Sequence, residues 1–242
     1  MSREYLIRIW MVRHGQTNWN EQGRCQGSTD LPLSSRGIQA VRTIAECVDV
    51  SQCDAVFCSP YKRTIETARL LMVNTSHAPF ICEELREIDF GTWEGKPWKN
   101  IIENRRAEWN VWKNDPLLSN PYKGESLSNA EERIKRLYSM FLREYLGQTI
   151  LLVSHGGILN IFLCFLFQLP LRVSWTFKLS AASFSEVLIC TYGPVITVLN
   201  YGPNISIDRM YIGKVQEGKS QLLKKCAIIS NSLPLIQHEI LN

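Results

Sequence analysis

Two stretches of this sequence, "WMVRHGQ" at residues 10–16 and "LLVSHGG" at residues 151–157, share one grammar: an apolar run, a polar residue, histidine, glycine. Each apolar run is rich in large aliphatic residues and reads as a buried strand that stops at the polar residue. If the strands are parallel neighbours, His14 and His155 stand at the same edge of one sheet. A lone histidine at a strand end ordinarily satisfies a local backbone group. The chain has only four histidines, at 14, 77, 155 and 238, and two in matching contexts carry more weight.

The intervening pattern alternates. A helix is expected from Ser34 to about Val48, then a strand at 54–58, then a helix with Ser59 as N-cap and Pro60 in its first position. Ser128-x-x-Glu131 matches a capping box ahead of a helix whose Ile134, Leu137, Phe141 and Tyr145 share a face. A strand at 149–154 follows, then a core helix within 157–171 and a hairpin around Gly193-Pro194. Strands alternating with helices imply a three-layer α/β/α fold with a largely parallel central sheet, whose ligands sit beyond the carboxyl ends of the strands.

Composition narrows the ligand. With 27 basic and 23 acidic residues the net charge is +4, too mild to argue for nucleic acid or a membrane surface. Small anions remain. The run at 157–171 is too short for a bilayer and holds Asn160 and Gln168. Arg3, Glu4 and Arg8 make the first segment a poor signal peptide. Eight cysteines without a C-x-x-C pair, several in apolar runs, suit the reducing cytoplasm.

Arg63 falls in the first turn of the helix expected after Ser59, where free amides and the helix dipole favour an anion. Together with Arg13 it offers two guanidinium forks suited to phosphoryl oxygens. The ordered set Arg13-His14-Gly15, Ser59-Pro60-x-x-Arg63-x-x-Glu66-Thr67, Glu87-x-x-Phe90-Gly91-x-x-Glu94-Gly95 and Ser154-His155-Gly156-Gly157 resembles the histidine phosphatase superfamily, the phosphoglycerate mutase-like fold. The resemblance implies that His14 attacks phosphorus, that Arg13, Arg63 and His155 hold the phosphoryl oxygens, and that Glu87 protonates the leaving oxygen. By the same likeness Asn20, Gln26 and Gly27 are expected to contact substrate. Spacing alone does not separate Glu87 from Glu83, Glu84, Asp89 or Glu94, and Asp89 is the reserve acid.

Phosphoryl transfer asks mainly for positioning and preorganised positive charge, which two arginines and a histidine supply. No metal and no cofactor are expected, since no histidine pair has metal-ligand helical spacing and the arginines repel a cation. "REIDFGTWEG" and "SHGG" resemble the branch of ribazole-phosphate phosphatases and broad phosphomonoesterases. Ile88-Asp89-Phe90 and Gly157 depart from the mutase pattern. A hydrolase of a small phosphorylated metabolite is therefore expected, ahead of a cofactor-dependent mutase or a non-catalytic binding module. Residues 1–202 are expected to form the catalytic domain, with a helical cap at about 92–125 and an appended tail at 203–242. Trp93, Trp98, Trp109 and Trp112 either face an organic leaving group or simply bury area in that cap. Residues 213–220 match G-x-x-x-x-G-K-[ST], but 242 − 220 = 22 residues follow, too few for the rest of a nucleotide-binding sheet, so the match is expected to be accidental.

Overall fold

A computed structural model describes residues 5–75, 78–114, 121 and 123–203. His77, His238, most of the tail and the 213–220 match lie outside the described residues. The first strand, β1, is Ile7–Arg13, followed by a one-turn helix α1 (Asn18–Glu21) and helix α2 (Ser35–Ala45). Strand β2 (Ala55–Cys58), helix α3 (Lys62–Leu71) and the short strand β3 (Phe80–Ile81) come next. Two helices of the expected cap, α4 (Trp98–Asn104) and α5 (Arg106–Asn114), precede the long helix α6 (Leu127–Glu144). Strand β4 (Thr149–Ser154) leads into helix α7 (Gly156–Leu166), and β5 (Phe184–Cys190) and β6 (Gly193–Tyr201) close the described chain as a hairpin.

The sheet order is β3-β2-β4-β1-β5-β6. Strands β1 to β4 run parallel; β5 runs against β1, and β6 against β5, so the sheet is mixed but largely parallel. Alternation along each strand divides the core into two layers. Ile7, Ile9 and Met11 of β1 share a cluster with Ile150 and Leu152 of β4 and with α6 and α7. Trp10 and Val12 join Leu151 and Val153 on the other face, against α2 and α3. Helices on both faces of a parallel sheet require strands that are apolar on both sides, and β2 and β4 are buried at every residue.

Three expected helix ends move. Helix α3 starts at Lys62 with Tyr61 at its N-cap and no side-chain cap of its own; Asp30 supplies it, accepting from the Lys62 amide at 2.6 Å. Helix α6 starts two residues early, with Ser126 in place of Ser128 as N-cap, its hydroxyl accepting from the Asn129 amide, because Leu127 and Ala130 extend its buried face. Helix α7 stops at Leu166, and Gln168 turns the chain at φ 52° before Pro170. No helix among the described residues is long and apolar enough to cross a membrane.

The tryptophans of the cap pack on one another. Trp93 and Trp112 are buried, their rings 5.4 Å apart, and Trp112 lies 4.7 Å from Trp175. Trp98 and Trp109 are half-buried against the same core. Burial of area is what these rings do here.

Candidate active site

The parallel register pairs Arg13 with Ser154, so the next residues, His14 and His155, leave the sheet side by side. Their rings are 5.0 Å apart, and both are buried. The His14 amide donates to the Ser154 carbonyl at 2.9 Å, which fixes the crossing. The two histidines differ in how they are held. His14 Nδ1 lies 2.7 Å from the Gly15 carbonyl, which can only accept, so Nδ1 carries the proton and Nε2 presents its lone pair. Arg63 Nε donates to His155 Nδ1 at 3.2 Å, so His155 has its proton on Nε2, 2.7 Å from the Ser59 hydroxyl.

Burial, with the charges of Arg63 and Arg13, pushes the His14 pKa well below its ordinary 6.5, although the Gly15 bond pulls the other way. His155 is lowered in the same direction by burial and by Arg63. Both imidazoles are therefore neutral around neutral pH. Burial also lowers Arg13, and Arg63 to about 10, with the Glu87 charge opposing the fall in each. The guanidiniums stay charged at neutral pH.

Arg63 is fully buried, and three of its five N–H groups are committed: Nε to His155, Nη1 to the Thr29 carbonyl at 2.9 Å and Nη2 to the Gly27 carbonyl at 2.7 Å. Its guanidinium also lies 4.7 Å from the Tyr61 ring. Arg13 gives Nη1 to the Leu179 carbonyl at 2.6 Å, while its buried Nε has no partner. Gln26 and Gly27 make their contacts within this frame. Gln26 accepts from the Thr17 hydroxyl, and a Cβ on Gly27 would come within 2.3 Å of the Ile88 carbonyl. Asn20 caps α1, its Oδ1 accepting from the Thr17 amide at 3.1 Å, and it lines a cleft beside Arg13.

Glu87 is buried at the start of α7. Its Oε1 accepts from the Ile88 and Ile158 amides and its Oε2 from the Gly157 amide, all at 3.0 Å. A Cβ at 157 would lie 2.6 Å from Glu87 Oε1, so any side chain there would push the carboxyl aside. Glu87 and Asp89 both line a cleft of about 670 Å³ that also takes in Ser28, Tyr61, Arg86 and Arg133. Asp89 accepts from the Gly91 amide at 2.7 Å, and burial raises its pKa. Glu94 is no surface charge: it accepts from the amides and hydroxyls of Ser28 and Thr29 and from the Phe90 amide. Glu83 does pair with Arg86, at 3.8 Å.

Tyr61, which roofs Arg63, carries no signal in the sequence, and Ser59 and Thr67, present in the quoted motif, act through contacts the motif does not specify. The Thr67 hydroxyl accepts from the Gly15 amide at 3.1 Å and donates to the Arg63 carbonyl at 2.7 Å. Only the spacing Arg63-x-x-x-Thr67, one helical turn, hinted at that link.

Residues 9–202 match the model of the histidine phosphatase superfamily (branch 1). The chain belongs to that superfamily. It is similar to the adenosylcobalamin/alpha-ribazole phosphatase of Escherichia coli (strain K12), 29% identical over 194 residues that cover 80% of this chain and 96% of the relative. Phosphoserine phosphatase 1 of Hydrogenobacter thermophilus is 30% identical over 196 residues, covering 81% and 92%. A mycobacterial glucosyl-3-phosphoglycerate phosphatase solved with VO3 superposes with a TM-score of 0.72 at 25% identity, covering 80% of this chain and 98% of that one. For this histidine phosphatase chain, the likeness spans the whole described sheet and both strand-end histidines.

Proposed function

We propose that this chain hydrolyses a small phosphomonoester through a phosphohistidine on His14, without a metal. The observation that carries the reading is the tautomer of His14 set by the Gly15 carbonyl, which leaves an Nε2 lone pair in the field of the Arg63 and Arg13 guanidiniums. Nε2 forms the N–P bond as the ester P–O bond breaks, and Arg13 and Arg63 offset the charge on the equatorial oxygens. His155 adds its Nε2–H, and Asn20 stands at the Arg13 side of the site.

Glu87 donates the proton to the departing alkoxide. Its Oε1 already accepts two amides and its Oε2 only one, so Oε2 has the lone pair that can carry the proton. In the second step Glu87 takes a proton from water, whose oxygen attacks phosphorus, the N–P bond breaks, and inorganic phosphate leaves with His14 neutral again. Relatives named for ribazole phosphate, phosphoserine and glucosyl-phosphoglycerate support a metabolite-sized substrate.

A panel of phosphomonoesters, assayed beside 3-phosphoglycerate with and without its bisphosphate, tests the reading. Hydrolysis insensitive to EDTA and inhibited by vanadate, a mimic of the five-coordinate transition state, is expected. Isomerisation of 3-phosphoglycerate without phosphate release makes the chain a mutase instead.

A further inference from the structure

A second cleft, of about 930 Å³, opens beside Arg13, and of its lining only Arg13 and Asn20 enter the chemistry above. Arg13, Asn20, Arg36, Gln39, Lys178 and Ser180 are among the residues that line it. Its described lining holds three cations and no carboxylate. The cleft at Glu87 is different: there Glu83, Glu87, Asp89, Glu125 and Glu132 stand among four basic residues. Arg36 and Lys178 are exposed and enter no ion pair among the described residues. Arg36 sits in the first turn of α2, which contains no acid to neutralise it. Arg13 also lines the cleft, and its buried Nε has no hydrogen-bond partner among the described residues.

We infer that this cleft is a second oxyanion site, taking a phosphate-class dianion between Arg36 and Lys178 with Arg13 in its wall. The inference rests on the phosphatase reading only for its kinetic consequence. An anion here competes for the Arg13 charge without occupying the His14 pocket, and therefore lowers turnover as well as apparent affinity. Two sources carry this chemistry: inorganic phosphate leaving the reaction centre, and a second phosphoryl group on the substrate itself. Carbonyl, amide and hydroxyl groups alone do not reject anions, but they do not collect them; the uncompensated cations do.

The test compares wild type with the double variant Arg36→Ala/Lys178→Ala, using inorganic phosphate as the probe. Wild type should bind two phosphates by calorimetry and the variant one, with the second site about tenfold or more weaker. With p-nitrophenyl phosphate as substrate, phosphate inhibition should change from mixed to purely competitive, while kcat and KM stay as in wild type. If the variant also raises KM for a bisphosphorylated substrate and not for a monoester, the occupant is a substrate group. If both KM values hold, it is released phosphate. Equal stoichiometry and equal inhibition pattern in the two proteins overturn the site. Calorimetry reads the site even in a chain that hydrolyses no ester, so failure of the phosphatase reading is seen separately.

Discussion

The ends of β1 and β4 are built from the same short phrase, yet the histidines they carry hold their protons on opposite nitrogens. His14 gives Nδ1–H to its own neighbour's carbonyl and keeps Nε2 as a lone pair. His155 receives Arg63 on Nδ1 and gives Nε2–H to Ser59. Strand and register place both rings, but the hydrogen-bond partner sets what each ring can do. In the proposed mechanism the first attacks and the second donates.

The largest effect that tests this contrast is removal of each ring. His14→Ala should lose on the order of 10⁴-fold or more in kcat/KM, because the covalent step goes with it. His155→Ala should lose roughly 10²- to 10³-fold, the scale of one preorganised donor. Acid-stable fold probes should be unchanged in His14→Ala, and base-stable phosphoprotein should appear only where His14 is present. Label on His155 in wild type would reverse the two roles.

Next in size is the acid. Glu87→Gln should cost roughly 10²- to 10⁴-fold with poor leaving groups and far less with good ones such as p-nitrophenolate. Asp89→Asn should cost far less, since the Asp89 carboxylate accepts from the Gly91 amide whereas Glu87 accepts from the Gly157 and Ile158 amides of α7. The reverse outcome moves the proton to Asp89. Gly157→Ala is a gentler probe of the same group: its methyl would strike Glu87 Oε1 and displace the carboxyl, lowering kcat more than stability.

How far the sequence reveals such a site depends on the distance between cause and effect along the chain. The strand ends were legible because one local phrase fixes strand, polar stop and histidine together, and register follows from burial on both faces. The start of α3 was not, because its cap comes from Asp30, 32 residues earlier. Ser59, freed from capping, became the partner of His155, 96 residues away. Glu94 read as one acid among five, and its bonds to Ser28 and Thr29 span more than 60 residues. Local signals located the reaction centre; its frame is made of long-range hydrogen bonds to loop atoms, which leave no periodicity to read.

The two histidines should also act alike in one respect, the response of the fold to acid. Both have folded pKa values lowered by burial and by the arginines, so the unfolded chain binds more protons than the folded one below the ordinary 6.5. Stability from these groups is complete above that pH and is lost as pH falls towards the folded values. The melting temperature should drop on acidification from pH 7 to pH 5, and less so in the His14→Gln/His155→Gln double variant. An equal drop in both proteins would place the acid response elsewhere.

The smallest expected effect is the most specific to the contrast. Ser59→Ala removes the acceptor of His155 Nε2–H and touches nothing that holds His14. A buried donor left without a partner costs about 1–3 kcal/mol, so the melting temperature should fall without loss of the fold. Turnover should fall less than tenfold if a phosphoryl oxygen takes the place of the hydroxyl once substrate arrives. Saturating vanadate should then narrow the gap in melting temperature between Ser59→Ala and wild type, because the oxyanion gives Nε2–H a partner in both. A gap that vanadate leaves unchanged would mean that His155 never turns its proton to the substrate and serves only to orient Arg63.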